Sequence, residues 1–424
     1  MARDMKLLII FIPLFITGIS YSQSKGDIEY RDKVYDDFIK TVQLYPATLK
    51  VSSQTLSPVI GLRSNLQLLL EFDELFSDAY SYKARITHCN ADWQPSGLSP
   101  LQFLKEYNEF YISDFEYSFG TITPYVHYKF IVPRPIISGN YILVVYGESN
   151  TDIIITRRFM VFEQLVQFSD KYEIIQNAPY SLTKQYLQFD VNYQGVELIN
   201  PMKYVTVHVL QNQRWDNAKL NLKPTFIRES QQILEYKHFT REDAFYAGNE
   251  FRYFDIRSLQ YFGFHIRTAK FEKDKIYAWV ETDRPRAMLA YSIERNLNGR
   301  FFIENLERKI PSIENDYALV NFSLATKPFN EEVYLSGKFT DWQKDKTTLM
   351  KYNKATSRYE GSYILKQGHY DYQYVLASDK RENEIEGNKR ESNNLYEILV
   401  YYRSQKLNAD LLIGYYNLNF GIYP

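Results

Sequence analysis

Short apolar runs, alternating or continuous and never long enough for a helical stripe, constrain this chain most. They include YILVVY (141–146), DIIITRRFMVFE (152–163), YVTVHVLQN (204–212), KIYAWVETD (275–283) and LVNFSL (319–324). In the fourth run Ile276, Ala278 and Val280 alternate with Tyr277, Trp279 and Glu281. A period of two places one set on a buried face and the other outside, the pattern of a strand. Gly, Pro, Asn, Asp and Ser punctuate the runs, and Asn298-Gly299 predicts a hairpin turn, because both of its positions need positive φ. The 38 tyrosines and 28 phenylalanines set against 17 glycines strengthen the reading, since aromatic rings fit a pleated, half-buried surface. One short helix is predicted from Ser99 to Tyr107, with Ser99 as N-cap and Pro100 in its first turn. The fold class is all-β, and the spacing predicts three tandem immunoglobulin-like β-sandwich domains.

The chain has 424 residues. Its start reads as an export signal over 1–22: basic Arg3 and Lys6, an apolar stretch from Leu7 to Ile19, then small Ser20 and Ser22. The apolar stretch is too short to span a bilayer, and no later run is long enough to do so. A polar lead-in over 23–45 is followed by sandwiches over 46–163, 164–310 and 311–403, and by a tail over 404–424. The mature protein is expected to be soluble and exported, without direct membrane insertion. Net charge is −1, so no global basic field points to nucleic acid. The single cysteine, Cys89, cannot close an internal bridge and reads as a small buried residue at a strand end.

The residues do not assemble a catalytic pattern. The six histidines, His88, His127, His208, His238, His265 and His369, stand far apart, and no metal-ligand spacing, nucleophile elbow or phosphate loop occurs. The expectation is a protein that is not an enzyme and has no catalytic, cofactor-binding or metal residues. Three polar–aromatic clusters read as structural devices or parts of a partner surface: HCNADWQPSGL (88–98), NEFRYFD (249–255) and TRRFMVFE (156–163). In the second, Glu250 and Arg252 share a strand face and are expected to pair. In the third, Arg157 and Arg158 are expected on opposite faces.

LSGKFTDWQ (335–343) carries Gly337, Phe339 and Trp342, and is followed by Gly368, Tyr370, Tyr372 and Tyr374. This frame resembles the early-set sandwich of glycogen-binding modules, in which a turn tryptophan stacks on a glucose ring. The resemblance implies the fold for 311–403. In glycan-binding members a lysine often lies between the later aromatics, and a second tryptophan follows. Here Gln373 takes the lysine's place, and residues 377–394 hold no tryptophan. Trp342 is therefore expected to cap the sandwich, and glycan binding is the alternative function.

In combination, HCNADWQPSGL, SFGTITPYVHY (118–128), SGNYILVVYG (138–147), TRRFMVFE, QNQRWDN (211–217) and AGNEFRYFD (247–255) resemble the plug proteins of the Bacteroidota type IX secretion system. The resemblance covers about 30 to 415. It implies a periplasmic subunit that binds the periplasmic mouth of a giant outer-membrane β-barrel translocon and closes it when no substrate is in transit. It does not say which residues touch the barrel.

Overall fold

The computed structural model describes residues 28–48, 50–169, 182–237, 244–378 and 383–420. The export segment over 1–22 and His238 lie outside the described residues. Strands dominate, helices are single turns, and the protein is all-β.

The first unit is a sandwich. One sheet runs Ile39–Pro46, Leu68–Glu74, Val126–Ile131, Asp114–Tyr117 in spatial order; the other runs Lys33–Val34, Ile153–Phe162, Gly139–Tyr146, Tyr82–Cys89, Phe110–Ile112. Between them pack Leu70, Phe72, Ile86, Tyr128, Leu143 and Phe159, with the Phe72 and Tyr128 rings stacked at 4.8 Å. The strand Ile39–Pro46 covers the end of the stretch read as a polar lead-in, and Ile39 and Leu44 join this core. A register shift between Lys40 and Gln43 and a positive φ of 51° at Thr41 break the period of two that would have announced the strand.

The run YILVVY is continuously apolar for a definite reason. All eight residues of Gly139–Tyr146 are buried, because the strand has a core on each side. Tyr141, Leu143 and Val145 face the first unit's own core. Ile142, Val144 and Tyr146 face a second core shared with Leu210, Leu399, Tyr401 and Leu412. Each such side chain contributes about 1.5–3 kcal/mol on burial, so the shared core fixes the first unit onto its neighbour.

That neighbour is built from two distant pieces of chain. Val205–Gln211 lies between Arg214–Leu222 and Asn394–Ser404, and Ala409–Phe420 closes the sheet. Phe189, Val191, Leu234 and Tyr236 come from the facing sheet and pack on Val207, Val209, Ile398 and Leu418. The segment expected as a tail over 404–424 therefore contains a twelve-residue strand, Ala409–Phe420, and Asn394–Ser404 hydrogen-bonds to Val205–Gln211.

Most of the remaining chain forms one nine-stranded sheet. Arg252–Asp255, Gly368–Leu376, Val333–Ser336, Leu349–Asn353, Arg358–Lys366, Tyr317–Ala325, Ile276–Val280 and Ile266–Phe271 follow in spatial order, and Phe301–Ile303 pairs with Gly368–Leu376. Its core joins Phe254, Ala278 and Phe301 to Val320, Phe322, Tyr370 and Tyr372, so it crosses the boundary expected at 310/311. We propose a division by cores: a first unit to about 163, a discontinuous middle unit of 164–246 with 394–420, and a third unit inserted between those two pieces.

Two local expectations meet a mixed outcome. Asn298 and Gly299 have φ of 54° and 82°, as the turn demands. However, the segment before them is not a strand, and Phe301–Ile303 pairs elsewhere, so no hairpin forms. The Ser99-capped helix exists but spans only Pro100–Phe103; the Ser99 backbone N–H donates to Gln102 Oε1 at 2.9 Å.

Candidate functional site

The clusters singled out in the sequence converge on the seams between the units. Trp93 is buried at a φ of +65° and meets Trp215 of the middle unit edge-to-face at 5.0 Å. The Arg158 guanidinium lies over both rings, 4.4 Å from Trp93 and 5.3 Å from Trp215, and its Nε donates to the Tyr30 carbonyl at 2.8 Å. Burial pulls its pKa down to about 10. A desolvated cation held between two indoles is a strong joint, because the ring faces take over from lost water. Around it, His88 and His208 are driven by burial to about 4. They are neutral hydrogen-bonding groups: His88 Nδ1 sits 2.9 Å from Ser96 Oγ, and His208 Nε2 lies 3.2 Å from the Ala91 carbonyl. Cys89 is fully buried, and burial pushes its thiol up to about 12, so the thiolate that gives cysteine its reactivity is not formed.

Arg157 and Arg158 diverge as adjacent strand residues must. Arg157 reaches the third unit, 3.0 Å from Asp341. Asp341 belongs to the turn of LSGKFTDWQ, and the same turn sends Lys338 to Asp32 at 2.9 Å. Trp342, at a φ of +60°, packs against Phe251 at 5.9 Å and lies under the Arg214 guanidinium at 4.5 Å. The ring that would stack on a glucose in a glycogen-binding module thus carries the Arg214 guanidinium over one face, and the residue is half-buried. The hydroxyls of Tyr372 and Tyr374 donate to Asp283 at 2.7 and 2.8 Å, inside the sheet, and both rings are buried. The motif serves as a joint.

In NEFRYFD, Glu250 and Arg252 do not pair. Glu250 accepts from the Tyr291 hydroxyl at 2.7 Å and from Asn296 and Asn393. Arg252 holds Asp283 at 2.7 Å and Glu386 at 3.0 Å. Burial alone would raise the Glu386 pKa, but Arg252 and Arg286 outweigh it and bring it down to about 2. Glu250 and Phe251 precede the strand Arg252–Asp255 and lie outside regular structure, so the alternation that predicted a shared face does not apply.

The most deeply buried ionic cluster was not singled out in the sequence. Asp73 on Leu68–Glu74 receives His127 Nδ1, Lys366 Nζ and the Tyr317 hydroxyl, each at 2.6 Å. Lys366 also donates to the Ser312 carbonyl at 2.6 Å and lies 4.2 Å from the Tyr125 ring centroid. Asp73 and His127 come from the first unit, Lys366 and Tyr317 from the third, and all four are buried. Burial opposes the Asp73 charge, but Lys366 and His127 outweigh it and hold its carboxyl below the usual range. Burial also opposes the His127 charge, but Asp73 and Glu71 raise its pKa above the ordinary value. The only signal in the sequence was the acids Glu71, Asp73 and Glu74 closing the strand LLLEFDE; the partner of Asp73, Lys366, is 293 positions away.

Away from the seams, aromatic side chains stand in solvent along one edge of the first sandwich. Tyr107, Tyr111, Phe115, Tyr117 and Phe119 are all exposed, and Asp114–Tyr117 is the outer strand of its sheet. A second exposed set, Tyr261, Phe262 and Phe264, projects from the third unit. Exposed aromatic groups of this size mark places where proteins meet. Among the described residues no cluster of His, Cys, Asp and Glu could hold a metal ion, and no helix is long and apolar enough to cross a membrane.

Comparison with known families gives a match over 39–163 to the type 9 secretion system plug protein 1st domain. The matched span opens at Ile39, where the first core also begins. A crystal structure of a hypothetical protein from Parabacteroides merdae ATCC 43184 is 32% identical, with a TM-score of 0.85, over 93% of this chain and 100% of that one. The chain belongs to the type 9 secretion system plug protein family. No curated protein matches it. Membership places this plug-family chain among secretion-associated envelope components, in a family that is not one of enzymes.

Proposed function

We propose that this chain is a periplasmic plug subunit that binds the periplasmic mouth of a giant outer-membrane β-barrel translocon and occludes it when no substrate is in transit. The observation that carries this reading is the plug-protein domain over 39–163, joined to the rest of the chain by a shared core and buried ion pairs. A stopper must resist deformation. Units fixed to one another freeze few internal motions on docking, which lowers the entropic cost of binding. The exposed aromatic edge of the first unit offers large contact area of low conformational entropy for a reversible interface.

Loss of the protein in its host is expected to raise outer-membrane permeability to large antibiotics without removing an enzymatic activity. Permeability that stays at the wild-type level when both this protein and the translocon's substrate carriers are absent would contradict occlusion.

A further inference from the structure

The sheet of the first unit that begins at Ile39–Pro46 ends at the outer strand Asp114–Tyr117, and every residue of that strand is exposed. Its backbone groups divide according to the ladder it makes. The register runs from Asp114 opposite Lys129 to Tyr117 opposite Val126, and the Ser118 N–H continues it by donating to the Tyr125 carbonyl at 2.9 Å. Bonded and non-bonded pairs alternate along an antiparallel ladder. Asp114 and Glu116 therefore point their N–H and C=O groups at Val126–Ile131, and Phe115 and Tyr117 point theirs outward. The next group in the outward series, the Phe119 N–H, donates at 2.9 Å to the Ile313 carbonyl of the third unit. Among the described residues no backbone group meets those of Phe115 and Tyr117. The molecule thus supplies one partner to this edge, at Ile313, and leaves the rest open.

Cations blunt sheet edges, as on the outer strands Ile266–Phe271, with Arg267 and Lys270, and Phe226–Arg228, with Arg228. Asp114–Tyr117 carries none. Its side chains instead set what a neighbouring strand must present. The Phe115 ring lies 6.0 Å from Tyr117 and 5.8 Å from Tyr128, a core residue. The two rings therefore share the core-side face, and they stand 40% and 55% exposed at the rim. Asp114 and Glu116 take the other face. Glu116 holds Lys129 at 2.6 Å, while Asp114, opposite Lys129, has no ion pair among the described residues. Two acids face one lysine at this rim, and a cation on an added strand would complete the balance.

We propose that Asp114–Tyr117 takes up an extended segment of a partner protein as an added strand, a segment that is apolar on one face and basic on the other. Backbone hydrogen bonds to Phe115 and Tyr117 supply affinity and register. Side-chain alternation supplies the choice of partner: apolar groups go against the Phe115 and Tyr117 rings, and basic ones meet Asp114 and Glu116. Under the plug reading, on which this identification rests, the segment belongs to the translocon; strand addition itself does not rest on it.

The test titrates the mature, folded chain against three fluorescent hexapeptides at low salt, read by anisotropy. They are the alternating Lys-Val-Lys-Tyr-Lys-Val, its block permutation Lys-Lys-Lys-Val-Tyr-Val, and the acidic Glu-Val-Glu-Tyr-Glu-Val. Saturable binding of the first is expected, about tenfold or more tighter than that of the other two. Tyr117→Pro removes an outward N–H and spares the ladder to Val126–Ile131. It is expected to weaken binding by about tenfold or more, with a smaller loss in Tyr117→Ala, which keeps the N–H and removes the ring. Asp114→Lys combined with Glu116→Lys is expected to reverse the preference to the acidic peptide, and it decides alone should Tyr117→Pro fail to fold. No saturable binding to the unsubstituted protein, equal affinity for the alternating and permuted peptides, or full affinity in Tyr117→Pro overturns strand addition and leaves the plug reading standing. A dimer of the free protein that Tyr117→Pro dissociates would give the edge to a second copy, and also overturns the proposal. Peptide binding as expected, beside an eluate of the tagged protein from host envelopes that holds no barrel, contradicts the plug reading alone and leaves strand addition in place.

Discussion

Asp73→Ala removes the acceptor shared by His127, Lys366 and Tyr317. Asp73 and Lys366 are each 1% exposed, so water cannot take the place of the lost carboxylate. Removing one partner of a buried ion pair costs about 3–5 kcal/mol, because the other charge stays behind unpaired. An exposed pair, by contrast, is worth about 0–1 kcal/mol. The loss is expected to appear as a lower urea midpoint with an unchanged slope. It is also expected to appear as faster proteolysis of native protein near 310–316, where Lys366 holds the Ser312 carbonyl. A second variant separates charge burial from shape. Asp73→Leu with Lys366→Met replaces the pair by apolar groups of similar size, a change that is often neutral or stabilising. It is expected to recover the part of the loss that comes from the stranded Lys366 charge, with His127 and Tyr317 keeping Glu71 and Thr41 as partners. A cost for Asp73→Ala below about 1 kcal/mol, or a double variant no more stable than the single one, would refute the reasoning that this cluster joins the units as a buried pair.

Three further outcomes follow. The same joint is expected to depend on pH in two directions. Asp73 and Glu71 have depressed pKa values despite burial, so their contribution is present above the ordinary carboxylate pKa and lost as pH falls through the folded values. His127 is raised by Asp73 and Glu71 against the pull of burial and of Lys366, so its contribution is present below the ordinary imidazole pKa and lost as pH rises through the folded value; urea titrations of wild type and His127→Gln across that window check the histidine's sign, and a pH-independent difference between them would contradict the assignment. Trp342→Ala is expected to cost about 3 kcal/mol, at the low end for loss of a large aromatic group, and wild-type protein is expected to give a flat calorimetric titration with α-glucans; saturable glucan binding lost in Trp342→Ala would reverse the reading of that motif as a joint. Cys89 is expected to resist thiol reagents in the native state and to react once in denaturant, since burial lifts its thiol to about 12; rapid native-state labelling would show that the strand end opens.

What the sequence disclosed and what it withheld divide along one physical line. Local chemistry was legible. The alternation in KIYAWVETD gave the inward Ile276, Ala278 and Val280, Asn298-Gly299 gave the positive φ values, and Arg157 and Arg158 went to different partners as neighbours on a strand must. Pairings across long sequence separation were not legible. The run ILVYY within Asn394–Ser404 is equally apolar whether it joins the third unit or the middle one, and only its hydrogen bonding to Val205–Gln211 decides. The Glu250–Arg252 pairing failed because Asp283 and Glu386, each more than thirty positions from Arg252, offer it better geometry. Asp73 and Lys366 were hidden for the same reason. The resemblance to a sugar-binding turn was real at the level of the strand and its tryptophan, but Arg214, which lies over one face of that ring, arrives from another unit.

We propose that this plug-family chain docks on a translocon. Affinity purification of the tagged protein from mildly solubilised envelopes of its own host tests that claim most directly. A giant outer-membrane barrel is expected in the eluate at near-equal amount, lost when the substrate carriers are overproduced. An eluate that holds the intact, folded protein and no such barrel would contradict it.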